Sequence, residues 1–518
     1  MNRFTTRTGA AVIAVATATS VAACGGGSGG GGSSSASASD TLTVAVDADA
    51  APNGYDPLLY SQGQYTFFST LYDALFVTDK DGKAQPNLVS QFSNSPDNLK
   101  TTLTLRDGVT FADGKKLDSA VVKANLDRRT DPKLEAYGQI GKGQASEITD
   151  VAAADPKTVV ITWKAPQATP ENNLADTAGV NVGPDGVANP DSLETKPDGS
   201  GPYTLDEGKS TRASSYTLDK NAQAWNADAW SFDHVVYKVI TDPQALANAV
   251  ISGQADVAGI LDPTTIDQVE SKQKTVKIGG TIVGFPVTDK TGKTNPAFGN
   301  EKARQAMLYA TDRTSLVDQL HQGSRATSQL FPEGATGFDA GLDDEFGYDP
   351  DKAKQLLAEA GYPNGFDVNL TVLGQPDEDA VAIQSQWKKV GINLKFVTAT
   401  STDQVFAAVN TDPVIFGPFA VGSNPAGFVA GALYGGFMNT QGAKEPAIDA
   451  SLGAALGAKG DAQKQALTDL NRAITEHAWY IPVYEDFTYY GYNAGKVAAP
   501  VFAGTNNYLV LSEIKPAS

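Results

Sequence analysis

The chain is poor in the residues that carry most reactive chemistry. It has one cysteine, three histidines and three methionines in 518 residues. A single cysteine excludes an internal disulfide. Cys24 also closes the apolar run at the N-terminus, so a cysteine nucleophile within a folded site is excluded as well. His234, His321 and His477 are far apart, and none has a partner at metal-ligand spacing, so neither a protein-held metal nor another cofactor is expected. A nucleophile elbow for a Ser-His-Asp hydrolase is missing. So is a glycine-rich phosphate loop ending in Lys-Ser/Thr. Carboxylates are plentiful, but abundance is not a glycosidase pair. Basic residues are outnumbered, 40 Lys and Arg against 59 Asp and Glu, for a net charge of −19. Such a surface argues against nucleic acid and anionic membrane surfaces as partners, and otherwise favours solubility. Beyond the N-terminus no apolar run is long enough to cross a bilayer, and no short-period repeat is present.

What is there begins at the N-terminus. Arg3 and Arg7 precede an apolar stretch from Ala10 to Val21, and Val21-Ala22-Ala23-Cys24 follows. A basic start, a short apolar run and small residues before a cut site describe a secretory leader, here 1–23. The same residues resemble a bacterial lipobox, in which the cysteine becomes the acylated first residue. The alternative is an ordinary leader with an incidental cysteine. Acylation removes a lone thiol that would be a liability in an oxidising exterior. Gly25 to Ser39 is a Gly/Ser tract that cannot bury apolar surface, and it reads as a tether within 24–40.

The roughly 480 residues beyond the tether exceed one ordinary domain. Thr41 to Val46 alternates polar and apolar residues as a strand does. Leu99–Leu105, Val159–Trp163, Val235–Ile240, Val368–Leu373, Ile392–Val397 and Ile481–Tyr484 also read as strands. Helices are expected over Phe67–Phe76, Ser119–Arg129, Pro243–Ser252, Lys302–Ala310, Ser315–Gln322, Lys352–Ala360, Ala380–Val390 and Asp461–His477. Asp349 is placed to cap the helix that Gly361 stops. Pro197 to Pro202 must be a loop. Strands and helices mixed in this order give an α/β protein of several lobes.

Six blocks then carry a family resemblance. They are Leu71-Tyr72-Asp73-Ala74-Leu75 with Gly82 and Pro86-Asn87-Leu88-Val89; Thr102 to Gly114 (TLTLRDGVTFADG); and Pro197 to Tyr203 (PDGSGPY). The others are Ser252 to Val257 (SGQADV), Arg304 to Arg313 (RQAMLYATDR) and Asp351 to Gly361. In this order they resemble the large solute-binding proteins of bacterial peptide and nickel ABC importers, known as family 5. Read physically, the blocks are turns and helix faces, that is, scaffold and not chemistry.

The resemblance implies a type II periplasmic-binding-protein-like clamp with mixed sheets and a hinge. Its first lobe would combine 41–75, 198–285 and 486–518; the second would be 76–197 and the third 286–485. Crossings near Gly284-Phe285-Pro286 and Glu485-Asp486 would form the hinge, and closure would bury the ligand. The implied partners are a small-molecule or peptide ligand, an ABC permease and its ATPase, and the membrane through lipidated Cys24. The protein would be an extracytoplasmic monomer and not an enzyme.

The family's cleft is lined by an early loop and a third-lobe loop. In the early loop, Tyr60 matches a tyrosine that faces ligand in the nickel-binding branch; the alternative is a core aromatic. The third-lobe segment runs from Val414 to Pro425 (VIFGPFAVGSNP). Peptide-binding relatives typically carry an aspartate there, which pairs with the peptide's free amine. Val421 falls near its place, Asn424 replaces a frequent aspartate, and no acid occurs from Pro413 to Gly442. A buried ammonium needs an opposite charge. The ligand is therefore expected either to lack a localised positive charge there or to be anchored from another segment. Phe416, Phe419 and Phe428 are candidate apolar walls, some of them core. Trp387 reads as core, and Arg325 and Arg212 as surface arginines more than carboxylate ligands. Peptides are the leading cargo; sugars, opine-like acids, chelated nickel and haem are alternatives. A secreted hydrolase and a cell-surface sensor built on this fold are the competing classes. Substituting Cys24→Ala is expected to move the protein from the membrane fraction to the soluble one and to abolish labelling with a radioactive fatty acid.

Overall fold

The computed structural model describes residues 40–59, 64–79, 83–130, 148–167, 169–421, 425–503 and 508–517. The leader, Cys24, the tether and Tyr60 lie outside the described residues, as does Asn424. Among the described residues no helix is long and apolar enough to cross a membrane.

The alternation of Thr41–Val46 places Leu42 and Val44 in the core. This strand runs parallel to His234–Val239 on one side and to Val257–Ala258 on the other. Ser215–Lys220 and Tyr203–Leu205 extend the sheet antiparallel beyond His234–Val239. On the other flank Val257–Ala258 pairs antiparallel with the long strand Tyr480–Tyr492. That strand pairs along its length with Lys274–Pro286, and Gly417–Ala420 closes the edge. With the short strand Arg325–Ala326 on Tyr480–Tyr492, the sheet is nine-stranded and mixed.

Residues 89–163 contribute a separate antiparallel sheet of four strands, Val89–Asn94, Lys100–Leu105, Thr158–Trp163 and Ile148–Asp155. The helix Ser119–Thr130 turns Val122 and Leu126 into the core that this sheet shares with Leu103, Val159 and Ile161. Further along, the parallel pair Asp367–Leu373 and Asn393–Ala399 packs with helices Glu301–Tyr309, Pro350–Glu359 and Glu378–Lys388. Trp387 is fully buried there, as its helical setting predicted. Asp349 caps its helix by accepting from the Lys352 N–H at 2.9 Å, and Gly361 ends it at φ +88°.

Three expectations are corrected. The helix expected over Phe67–Phe76 is Tyr65–Leu71. Tyr72 leaves it in an extended conformation, its hydroxyl donating to the Tyr55 carbonyl at 2.6 Å, and the Leu75 N–H goes to the Gly179 carbonyl. Long-range partners thus outbid the last helical turns. The strand expected over Ile481–Tyr484 is 13 residues long, because Lys274–Pro286 supplies an equally long partner. The segment read as a loop from Val414 contains the strand Gly417–Ala420, which pairs in register with Thr281–Gly284.

The family-like blocks converge on one another. Asp73 is buried and accepts from the Ser200 hydroxyl at 2.9 Å, the Trp225 indole at 3.0 Å and the Asn226 amide at 3.1 Å. A Cβ at Gly199 or Gly201 would overlap the Leu71 carbonyl, so glycine is required for the approach of these two segments. Gly201 N–H donates to that carbonyl, and Ala112 N–H donates to Gly199. Arg106 donates to the Asn87 carbonyl at 2.9 Å and lies 4.3 Å over the Trp225 ring. Three blocks distant in sequence, together with Trp225 and Asn226, therefore form one junction.

Burial pushes the Asp73 carboxyl up to about 6 from 3.8, against the pull of its hydrogen bonds. The folded protein then holds a proton between those pH values that the unfolded chain has released. Stability from this group is full below pH 3.8 and falls as pH rises to about 6. The loss is of order 3 kcal/mol. Denaturant titrations across that range should show this component of the pH slope disappearing in Asp73→Asn.

Candidate ligand-binding site

Parallel strands aligned side by side bring their carboxyl ends to one edge, where open α/β sheets present ligand sites. Here those strands are His234–Val239, Thr41–Val46 and Val257–Ala258. The residues that leave them, Asp47 to Ala50 and Gly259-Ile260, line a cavity of about 240 Å³ together with Tyr490 and Gln64. Tyr490 comes from the long strand that continues toward the pairing partners of Gly417–Ala420.

Two features mark this cavity. Ile260 is 52% exposed and sits at φ +40°. A β-branched residue in that region is a steric outlier, and exposure leaves its side chain little burial to offset the strain. Asp47, exposed at the mouth, has no hydrogen-bond or ion-pair partner among the described residues. Asp49 is engaged: its carboxylate accepts from the Ala51 N–H and the Tyr216 hydroxyl. Burial, and next the Asp47 charge, push the Tyr490 phenol up to about 12.

Phe416 and Phe419 lie on the edge formed by Gly417–Ala420. Phe416 is half-buried, its ring 4.5 Å from that of Phe285. Phe419 is also half-buried and meets Tyr480 edge-on at 6.1 Å. Val421 is only 3% exposed and packs in a core with Ile282 and Tyr480, so its side chain serves packing. Phe428 packs partly against the same core. Arg325 is not a surface arginine. It donates to Glu485 at 2.9 Å and to Asp343 at 2.7 Å, and Glu485 is fully buried. Arg212 donates to the Pro52 carbonyl at 2.6 Å.

The histidines have carboxylate partners that only the fold supplies. His234 meets Asp219 at 2.7 Å and His321 meets Asp379 at 2.6 Å. His477 lies between Glu301 at 2.5 Å and Glu445 at 3.7 Å. These carboxylates face opposite ring nitrogens at three helix ends, and one ligand atom from each of Glu301, Glu445 and His477 lies within 4.8 Å of the other two, a grouping able to hold a cation. A second cavity of about 330 Å³ borders Asp73 and Asp176, whose carboxylates are occupied by hydrogen bonds from Ser200, Trp225 and Thr78.

The mixed sheet, with three parallel strands whose carboxyl ends meet at one edge, has the architecture of the type II periplasmic-binding-protein fold. Solved structures agree on the fold. HbpA2 from Haemophilus parasuis superposes with a TM-score of 0.75 at 20% identity, covering 92% of this chain and 100% of that one. DppA from Helicobacter pylori, in complex with the peptide STSA, gives 0.65 at 21% identity over 92% and 98%. In sequence the chain is 31% identical over 353 residues to the glutathione-binding protein GsiB of Escherichia coli O1:K1 / APEC, a match spanning 66% of each chain. The matched region is thus just under two thirds of that relative's length. The profile of the bacterial extracellular solute-binding proteins, family 5, matches residues 83–439, and the chain belongs to that family.

The sequence reading missed Asp47, Ile260 and Tyr490. Its available signal was position: Asp47 directly follows an alternating strand, and Ile260 follows Val257–Ala258. Replacing Ile260→Gly should relieve the backbone and raise stability by about 1 kcal/mol, read as a higher thermal midpoint. An unchanged or lower midpoint would show that the side chain's contacts outweigh the strain.

Proposed function

We propose that this chain is the extracytoplasmic binding component of an ABC importer and captures a peptide or peptide-like solute. The observation that carries this reading is its membership of family 5 together with the 31% identity to a glutathione-binding protein. The solute is delivered to a permease and ATPase; energy comes from those partners and none from this chain. The chain acts as a monomer held to the membrane by lipidated Cys24, with 25–39 as its tether.

The clamp has three lobes, 41–75 with 198–285 and 486–518, then 76–197, then 286–485. Supporting this division, both crossings lie in the ladder of Lys274–Pro286 with Tyr480–Tyr492, which carries register shifts between Ile278 and Thr281 and between Val283 and Gly284. Such irregularities bend strands and are natural places for a hinge. Ligand is walled on the third-lobe side by Phe416 and Phe419, with Tyr60 and Asn424 as further contacts and Val421 holding the strand in place.

The test is native mass spectrometry on protein beginning at Asp40, followed by denaturation and identification of released small molecules. A stoichiometric series of peptides, or glutathione, is expected. A single sugar or metal chelate would overturn the peptide reading and keep the importer reading.

A further inference from the structure

The reading of a peptide-capturing clamp leaves one chemical question. A peptide with a free N-terminus carries an ammonium, and closure of a clamp would strip it of water. An ion so buried requires an opposite charge. The third-lobe segment from Pro413 to Gly442 has no acid to provide one.

The cavity at the carboxyl edge of the parallel strands does. Among its lining residues are two carboxylates, Asp47 and Asp49, and no lysine, arginine or histidine. Asp49 is committed to Ala51 and Tyr216, whereas Asp47 has both oxygens free of partners among the described residues. Its neighbours are of the kind that accompany an ammonium: the ring of Tyr490 and the apolar surfaces of Ile260 and Phe67. The cavity is too small for a drug-sized ligand but takes one end of a peptide. One free carboxylate beside one engaged carboxylate falls short of the six to eight oxygens a calcium ion takes. The same holds for an anion, which both charges would repel.

Resting on the peptide reading, we infer that Asp47 anchors the cationic amine of the solute, in the cavity it shares with Asp49, Ile260 and Tyr490. The amine site is thereby moved from the third-lobe segment to the end of the first strand. The carboxylate of Asp49 adds to the negative potential without leaving its own partners. Ile260, held in its strained conformation, covers the methylene side of the bound terminus.

The experiment measures binding of glutathione and of a randomised tripeptide mixture, each free and N-acetylated, to the full chain and to Asp47→Asn, by titration calorimetry and native mass spectrometry. The free-amine forms should bind wild type at least tenfold more tightly than the acetylated forms. Asp47→Asn should lose roughly tenfold for the free-amine forms and nothing for the acetylated ones. Its thermal midpoint should be unchanged, because Asp47 has no partner to lose. Equal binding of free-amine peptides by wild type and Asp47→Asn overturns the inference and leaves the peptide reading in place. Equal binding of free and acetylated forms by wild type does the same. If neither glutathione nor any tripeptide binds, the peptide reading fails and takes the inference with it.

Discussion

Glu485 is fully buried at the middle of the longest ladder in the protein, and its charge organises what surrounds it. It accepts from Arg325 at 2.9 Å, from the Glu333 N–H at 2.9 Å and from the Gly280 N–H at 3.2 Å. An ion taken out of water is expensive unless its lone pairs are used, and here several donors from three segments use them. The Gly280 contact lies where the register of Lys274–Pro286 with Tyr480–Tyr492 shifts, and a Cβ on the neighbouring Gly279 would come within 2.6 Å of this carboxylate. The bulge, its glycines and the buried acid therefore form a single feature. One end of the ladder continues into the sheet of parallel strands; the other carries Gly417–Ala420 and packs on the core around Phe285 and Trp387. Sheet and core are thus joined through strands whose bend is fixed by one ion pair.

The family-like blocks work on the same principle. Asp73, Asp256, Arg304 and Arg313 are buried polar groups that bind distant backbone or side chains. Asp256 accepts from the Thr43 N–H at 2.7 Å and from Lys496 at 2.9 Å. Arg304 donates to the carbonyls of Phe298 and His477, and Arg313 to those of Leu308 and Pro482. Such groups contribute little net stability when satisfied and cost several kcal/mol when one partner is removed. They specify which segments meet. The blocks therefore identify the family while leaving the ligand open, since ligand chemistry sits on other residues.

Much of the architecture was legible in one dimension. Alternation in Thr41–Val46 and Leu99–Leu105, Asp349 before Pro350, and Gly361 after Ala360 each place an element by local physics, and each is found within a residue of where it is expected. Where local physics was outweighed, the reading drifted. The helix begun at Tyr65 stops at Leu71 because Tyr72 and Leu75 find partners at Tyr55 and Gly179. The segment after Val414 becomes an edge strand because Thr281–Gly284 offers it a ladder.

The sequence by itself determined the family, the order of elements and the acidic character. Those properties are written in residue type and short spacing, which need no partner. Only the tertiary structure decided that Arg325 faces Glu485 and not solvent, that Val421 packs inward, and that Asp47 meets Ile260 and Tyr490 around one cavity. Those outcomes depend on which distant segments share a sheet edge. Spacing along the chain does not report that, because parallel pairing and long-range ladders join residues separated by hundreds of positions.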